Sequence, residues 1–398
     1  MVRWLRVEPL RRPTMKLWNY ATNIPMRIGI DFTSAARERA GIGRYARELV
    51  RALARIDRTN QYVLFVPRDA HPDLLEFDWP ANWKIARAPV TERVLAALWH
   101  RFRVPVPVEI WTGRVDVFYS PDFLLPPTRA PRTLVTVHDL SYLRVPECFP
   151  EVLKRYLNAA VPRAIRRADL VLADAASTRH DLEEVYRVPA DQVKVLYSGV
   201  DGRFCPQIPA SEQARVREKF SLHEPYLLSV GTVQPRKNYA RLIQAFANLQ
   251  SPTSNLHLVL AGGPGWMYED VYQAVDRLGL KDRVKVTGFV EDADLPPLYA
   301  MAALFVYPSL YEGFGLPVAE AMACGTPVVC SNASSLPEVG GDAVLYFDPR
   351  DVDGMAEAMR RALADESLRA DLRSRGFAQV KQFSWERAAS ELLGYWSN

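Results

Sequence analysis

Short apolar runs alternate with stretches of helical periodicity along nearly the whole chain. Apolar runs of about four to eight residues are typical of strands that helices cover on both faces, which indicates the parallel sheets of an α/β protein. The runs form two successive groups. The first group predicts strands at residues 26–32, 62–67, 84–90, 115–120, 133–138, 170–174 and 193–197. The second predicts strands at residues 226–230, 256–261, 284–287, 304–307, 327–330 and 343–347.

A break in this alternation over residues 201–221, which contain Pro206 and Pro209, predicts a boundary between two domains. We therefore predict one doubly wound, Rossmann-like domain over residues 26–205 and a second over residues 206–382. Residues 383–398 are amphipathic and predict a final helix. Residues 1–25 are basic and contain several prolines, but they lack the apolar core of a signal peptide. We expect a disordered or mis-annotated extension there, with a basic tail that touches a membrane as the alternative.

Composition and charge narrow the functional classes. The formal net charge is only +4, which is too small to argue for a nucleic-acid partner. The four cysteines show no metal-ligand spacing, so a reducing compartment fits best. No apolar run approaches the roughly 18–20 residues that span a bilayer. We expect a cytoplasmic protein that is at most peripheral at the inner membrane face.

A basic stripe follows the first predicted strand. Its five arginines recur at spacings of three and four residues, which places them near one side of a helix. Such a stripe is usually a solvated face; contact with anionic lipid or with the pyrophosphate of an acceptor is the alternative. The stripe consists of Arg44, Arg47, Arg51, Arg55 and Arg58.

Two glutamates flank a glycine-rich turn after the predicted strand 304–307. Glu312 would lie in the turn, and Glu320 would lie about one turn into the following helix. Gly313 and Gly315 allow a ligand to approach the backbone closely, beside a helix N-terminus that favours anions. A carboxylate at the position of Glu320 commonly accepts hydrogen bonds from ribose hydroxyls. The segment predicts a nucleotide-sugar pocket.

A second charged segment follows the strand 226–230. Gly231 ends that strand, and Arg236 and Lys237 precede a predicted helix. Cations at the carboxyl end of a strand are placed to neutralise a departing diphosphate without a metal.

Together these segments resemble the retaining GT-B glycosyltransferases of family 4, also called glycosyltransferase group 1, and their mannosyltransferase-like members. The resemblance rests on the Glu312–Glu320 spacing, the enclosed Gly-Phe-Gly-Leu-Pro and the Arg-Lys-Asn at 236–238, and it covers nearly the whole chain. It implies two domains that face each other across a cleft, an N-terminal one for the acceptor and a C-terminal one for the nucleotide sugar. It also implies that the C-terminal helix crosses back to the N-terminal domain, although a helix that closes the second domain is an equal alternative.

The resemblance assigns roles residue by residue. As catalytic residues it implies His138, Arg236, Lys237 and Glu312, with His138 contacting the transferred sugar. The implied donor-binding positions are Gly41, Gly43, Gly231, Gly262, Gly263, Phe289, Val290, Gly313, Phe314, Gly315, Leu316 and Glu320.

The implied activity is that of a hexosyltransferase. It would move a hexose, with mannose as the first choice, from a nucleoside-diphosphate sugar to a hydroxyl of a glycan or lipid-linked acceptor in cell-surface polysaccharide synthesis. GDP-mannose is the first choice of donor and a UDP-sugar the second, and no metal or other cofactor is expected. No carboxylate is an obvious nucleophile, which favours front-face substitution over double displacement. The alternatives are a nucleotide-sugar epimerase of the same fold and a non-catalytic carbohydrate-binding partner of a glycan-assembly complex.

Overall fold

The computed structural model describes residues 25–39, 41–249 and 255–397. The N-terminal extension predicted for residues 1–25 lies outside this part of the chain, except for Pro25. Within the described residues, thirteen strands form two parallel sheets with helices on their faces.

The first sheet contains seven strands in the order β3-β2-β1-β4-β5-β6-β7. They are β1 (Arg27–Asp31), β2 (Gln61–Val66), β3 (Trp83–Arg87), β4 (Val117–Ser120), β5 (Arg132–Val137), β6 (Leu170–Ala173) and β7 (Val193–Val195). The helices of this half are α1 (Ile42–Ile56), α2 (Pro72–Leu75), α3 (Glu92–Ala96), α4 (Glu109–Thr112), α5 (Ser141–Arg144), α6 (Glu151–Arg167) and α7 (Ala176–Tyr186).

The second sheet contains six strands in the order β10-β9-β8-β11-β12-β13. They are β8 (Tyr226–Val230), β9 (His257–Ala261), β10 (Val284–Gly288), β11 (Leu304–Tyr307), β12 (Val328–Ser331) and β13 (Leu345–Phe347). The helices that follow along the chain are α8 (Ala210–Lys219), α9 (Tyr239–Ala247), α10 (Glu269–Arg277), α11 (Leu295–Met301), α12 (Leu316–Ala323), α13 (Leu336–Gly340), α14 (Val352–Ala364), α15 (Glu366–Gln379) and α16 (Trp385–Ser397).

Every predicted strand is present, with ends that move by at most three residues. The largest change is at β3, which stops at Arg87 rather than at Val90. Pro89 lies just beyond this end, and proline has no N–H to donate to a neighbouring strand. The apolar runs located the strands correctly because central strands such as β4 and β6 are buried at every position.

The C-terminal helix α16 packs against α1. Its apolar side belongs to the hydrophobic cluster beneath the first sheet, where Trp385, Leu392 and Trp396 lie with Ile28 and Ile30 of β1. The chain thus returns from the second sheet to the first, which ties the two halves together. A second link between the halves is the Trp266 indole, which donates a hydrogen bond to the Cys148 carbonyl oxygen at 2.7 Å.

The strand order of each sheet reverses at one pair of neighbours, β1 and β4 in the first sheet and β8 and β11 in the second. In open α/β sheets, ligands bind in the crevice outside the carboxyl ends of the strands at such a reversal. The loops that follow these four strands are therefore the places where a site is expected.

Candidate active site

Two cations and one carboxylate meet at the strand-order reversal of the second sheet. Arg236 and Lys237 form the short 3-10 turn after β8, and Glu312 lies in the loop after β11. The Glu312 carboxylate accepts from Lys237 Nζ at 2.6 Å and pairs with Arg236 Nη1 at 2.8 Å. The Tyr307 hydroxyl donates to the same carboxylate at 3.0 Å and accepts from Lys237 Nζ at 2.6 Å. We call Arg236, Lys237 and Glu312 the charge cluster.

Burial and mutual attraction shift the pKa values of the charge cluster. Burial by itself would raise the pKa of Glu312, which is 6% exposed, but the charges of Arg236 and Lys237 outweigh it and lower the pKa to about 2. Burial lowers the pKa of Lys237 to about 8, because the attraction of Glu312 only partly offsets the loss of water and the repulsion of Arg236. One carboxylate thus pairs with two cations, and the charge cluster retains a net positive charge at neutral pH.

Glu320 is bound by side chains that the sequence analysis did not connect with it. Arg44 of α1 forms a salt bridge with Glu320, and the Tyr299 hydroxyl donates to the other carboxylate oxygen at 2.9 Å. Arg44 also lies over the Phe204 ring, 5.1 Å from its centroid. The carboxylate predicted to hold ribose therefore joins the two halves of the protein in this structure.

His138 comes directly after β5 and is held from both ring nitrogens. Nδ1 donates to the Asp174 carboxylate at 2.6 Å, and Nε2 donates to the Pro121 carbonyl oxygen at 3.1 Å. The Pro121 carbonyl oxygen can only accept, so Nε2 carries a proton, and with Asp174 ionised both ring nitrogens donate and the ring is an imidazolium. Burial alone would lower the pKa of His138, but the negative charge of Asp174 raises it to about 9. The predicted contact of His138 with the sugar stays a prediction.

The glycine-rich turn brings the two halves into contact. A side chain at Gly313 would overlap the His138 carbonyl oxygen, so only glycine permits this approach. Gly315 has φ of 104°, in the region that glycine favours, and precedes the first residue of α12. The glycines predicted for donor binding thus also let the loop carrying Glu312 meet the loop carrying His138.

The other predicted donor positions occupy different environments. Gly43 and Gly262 face the carbonyl oxygens of Glu38 and Gly231, so close backbone packing explains both residues. The Phe314 ring lies in the core beside Phe383, which makes its side chain a packing residue. The remaining positions are Gly41, exposed before α1; Gly231, beside Lys237; Gly263, beside Phe289; Phe289, 47% exposed; Val290, buried; and Leu316, half-buried at the start of α12.

The basic stripe is not a continuous exposed face. Arg44 points to Glu320, and Arg47 is buried and donates to three backbone carbonyl oxygens that include that of Ala35. Arg51 contacts Glu48, while Arg55 is half-exposed near Glu386. Arg44 and Arg47 therefore have structural contacts within the protein, and the structure does not support a lipid-facing stripe.

Among the described residues, no group of three or more histidine, cysteine or acidic side chains is arranged to hold a metal ion. No helix within residues 25–39, 41–249 and 255–397 is long and apolar enough to cross a membrane.

Several residues that shape the site were missed. Asp174 and Tyr307 stand at the carboxyl ends of β6 and β11, the same kind of position that identified His138 and Arg236. Applying that rule to every strand end would have found both. Arg44 and Tyr299 carried no comparable signal, because their contact with Glu320 depends on how the helices pack.

Comparisons with known proteins agree with this architecture. Residues 210–379 match the family model for glycosyl transferases group 1, and residues 39–203 match that for glycosyltransferase family 4. The chain is 36% identical over 368 residues to O-antigen chain mannosyltransferase B of Escherichia coli, an alignment that covers 89% of this chain and 94% of that protein.

Solved structures with low sequence identity share the fold. Sucrose-phosphate synthase from Thermosynechococcus elongatus has a TM-score of 0.73 at 22% identity, with 93% of this chain and 98% of that chain covered. Anabaena HepE in complex with UDP and glucose has a TM-score of 0.71 at 20% identity, with 94% and 100% covered. The fold is therefore GT-B, as predicted. With the match to an Escherichia coli relative over nearly its full length, these findings show that the chain belongs to the glycosyltransferase group 1 family and is a hexosyltransferase.

Proposed function

We propose that this enzyme transfers mannose from GDP-mannose to a hydroxyl of a glycan or lipid-linked acceptor in surface-polysaccharide synthesis, with retention at the anomeric carbon and without a bound metal. The observation that carries the proposal is the charge cluster at the strand-order reversal of the second sheet. Mannose is the preferred sugar because the Escherichia coli relative named above is a mannosyltransferase.

The charge cluster suits a departing nucleoside diphosphate. Arg236 and Lys237 stand directly before the N-terminus of α9, where backbone N–H groups and the helix dipole also favour an anion. The two cations share a single carboxylate, so the cluster has an excess positive charge. The negative charge of a bound diphosphate would neutralise this excess. Its approach would raise the pKa of Lys237 and hold the ammonium in its charged form. This provides charge stabilisation for the leaving group without a metal ion.

Front-face substitution is the route that we propose for retention. Both oxygens of Glu312 are engaged by cations, and the low pKa of this carboxylate makes it a weak nucleophile. The acceptor oxygen would instead bond to the anomeric carbon on the face from which the diphosphate leaves. A phosphate oxygen would take the proton of the acceptor hydroxyl as the glycosidic bond to the nucleotide breaks. Glu312 would hold sugar hydroxyls and stabilise the cationic ring.

Glu320 has to exchange partners during the cycle if it holds the ribose. Its two oxygens are bound by Arg44 and Tyr299 in this structure. A nucleotide would displace Arg44, which belongs to the other half, so donor binding and the contact between the halves would be linked. We place the reaction in the cytoplasm, in keeping with cysteines that are free. No observation favours the epimerase or the non-catalytic alternative.

The test is binding followed by transfer. Thermal shift with GDP, UDP, ADP and their sugar conjugates, with and without EDTA, should show stabilisation by GDP and GDP-mannose that EDTA does not remove. Proton NMR of the product formed from GDP-mannose should then show the α-anomer, the configuration of the donor. Stabilisation by UDP alone would refute the donor, loss of activity with EDTA would refute metal independence, and a β-linked product would refute retention.

A further inference from the structure

A cavity of about 260 Å³ opens at the carboxyl edge of the first sheet, and its lining is separate from the charge cluster. Asp31 is the last residue of β1, and Asp122 follows the end of β4 by two positions. These two strands are the neighbours at which the order of the first sheet reverses. The cavity therefore occupies the ligand-binding position of the N-terminal half.

The polar lining of this cavity is mainly acidic. Asp31, Glu38, Glu92 and Asp122 line it together with Arg37. Arg37 is paired with Glu92 at 2.8 Å, whereas none of the salt bridges among the described residues involves Asp31 or Asp122. Their hydrogen bonds come from backbone N–H groups of their own loops, at 3.0 and 2.6 Å. Carboxylate oxygens that no salt bridge occupies can accept hydrogen bonds from the hydroxyls of a ligand.

A buried serine hydroxyl lacks a partner at the same cavity. Ser34 lines it and is only 7% exposed, yet its hydroxyl forms no hydrogen bond within the described part of the chain. A buried polar group without a partner costs free energy, so a ligand hydroxyl that bonded to it would be favoured. Trp99 and Leu95 supply an apolar wall. Polar groups opposite an apolar wall match the two kinds of surface that a sugar ring presents.

The cavity is joined to the candidate active site through His138. The ring of this residue donates to the Pro121 carbonyl oxygen and lies 5.4 Å from the Phe123 ring. Pro121 and Phe123 are the two neighbours of Asp122 in sequence. The backbone of His138 meets Gly313 of the other half. A ligand held by Asp31 and Asp122 would thus be near the place where the two halves meet.

We propose that this cavity binds the terminal residue of an uncharged glycan acceptor, with Asp31 and Asp122 accepting hydrogen bonds from its hydroxyls and Ser34 completing the set. The proposal rests on the transferase function above and names its acceptor class. At neutral pH and above, the carboxylates of the lining outnumber its one cation, Arg37, and so disfavour a phosphorylated or otherwise anionic terminus by charge repulsion. The volume is slightly below the roughly 300 Å³ at which pockets for drug-sized ligands begin, which suits one sugar ring rather than a lipid chain.

Direct binding tests the cavity without the donor. Saturation-transfer NMR of the full chain with methyl α-mannoside and with its 6-phosphate measures both affinities in wild type, Asp31→Asn and Asp122→Asn. We expect each variant to bind the neutral glycoside about tenfold more weakly, as the loss of a hydrogen bond to a charged group typically produces. We also expect the phosphate ester to bind wild type at least about tenfold more weakly. The exposed Asp191→Asn is the control, with unchanged affinity.

Three results would overturn the proposal: no binding of the neutral glycoside to wild type at millimolar concentration, unchanged affinity in both variants, or tighter binding of the phosphate ester. If an aspartate variant fails to fold, Ser34→Ala tests the same cavity. Donor binding and GDP-mannose hydrolysis are measured alongside. A protein that binds the glycoside normally but neither binds nor hydrolyses GDP-mannose would refute the proposed donor and leave the cavity assignment standing.

Discussion

Replacing Glu312 by glutamine tests the charge cluster most directly. The substitution keeps the size of the side chain but removes the negative charge that Arg236 and Lys237 share. Both cations are buried against this carboxylate, and the remaining amide cannot neutralise them. We expect the variant to be less stable than wild type and to transfer sugar at least about a hundredfold more slowly, as loss of a charge-stabilising group typically does.

The size of the stability loss can be worked out from the pKa of Glu312. Folding lowers this pKa from 4.5 to about 2, which corresponds to about 3 kcal/mol of stabilisation of the charged form. Breaking a buried ion pair by removing one partner costs about 3–5 kcal/mol, which agrees. At about 2–4 °C per kcal/mol for a domain of this size, Tm should fall by roughly 6–20 °C.

The assay is thermal unfolding as a function of pH, with and without GDP. Because the folded-state pKa is below 4.5, the contribution of Glu312 is present above pH 4.5 and is lost as the pH falls through about 2. The difference in Tm between wild type and variant should therefore shrink over this range. GDP should raise the Tm of the variant more than that of wild type, because its diphosphate replaces the missing charge.

A matched control is Glu357→Gln. Glu357 forms an exposed ion pair with Arg360 that solvent screens, so its loss should leave Tm nearly unchanged. Equal Tm values for Glu312→Gln and Glu357→Gln near neutral pH would show that the charge cluster does not hold its cations as described. A wild-type turnover number for Glu312→Gln would remove this residue from the proposed catalytic set.

Three further predictions concern the titration of the site and the packing of the last helix. The value of kcat/KM for the donor should fall as the pH rises through about 8, because Lys237 loses its proton there. Lys237→Arg should shift this fall in kcat/KM to higher pH. A fall at the same pH in the variant would show that another group titrates. The pKa of His138 rises from 6.5 to about 9 on folding, so its contribution to stability is present below pH 6.5 and is lost as the pH rises through 9. Asp174→Asn should therefore lower Tm more at pH 6 than at pH 9.5, and an equal loss at both would contradict the ion pair. Trp396→Ala should cost about 3–5 kcal/mol in a denaturant melt, because this fully buried side chain anchors α16 on the first sheet, and an unchanged midpoint would contradict that role.

The linear pattern of the chain determined the architecture and the position of its main charges. Central parallel strands are apolar throughout because helices cover both of their faces, and the pattern of apolar runs therefore located the strands of both sheets. A residue that follows such a strand lies at the carboxyl edge of its sheet. That rule placed Arg236, Lys237 and Glu312 each at the carboxyl end of a strand, and the structure joins them at hydrogen-bond distance.

Only the tertiary structure decided which side chains meet from distant parts of the chain. Arg44 and Glu320 are 276 residues apart, and the sequence around Arg44 indicated a solvated basic face rather than a salt bridge. The burial of α16 beneath the first sheet and the acidic cavity between β1 and β4 likewise depend on strand order and on how the two halves pack. Local sequence specifies secondary structure through periodicities of two and 3.6 residues, but it carries no comparable signal for contacts between elements. Those contacts follow from burial of the whole chain, and here they determine what surrounds the charge cluster and the acidic cavity.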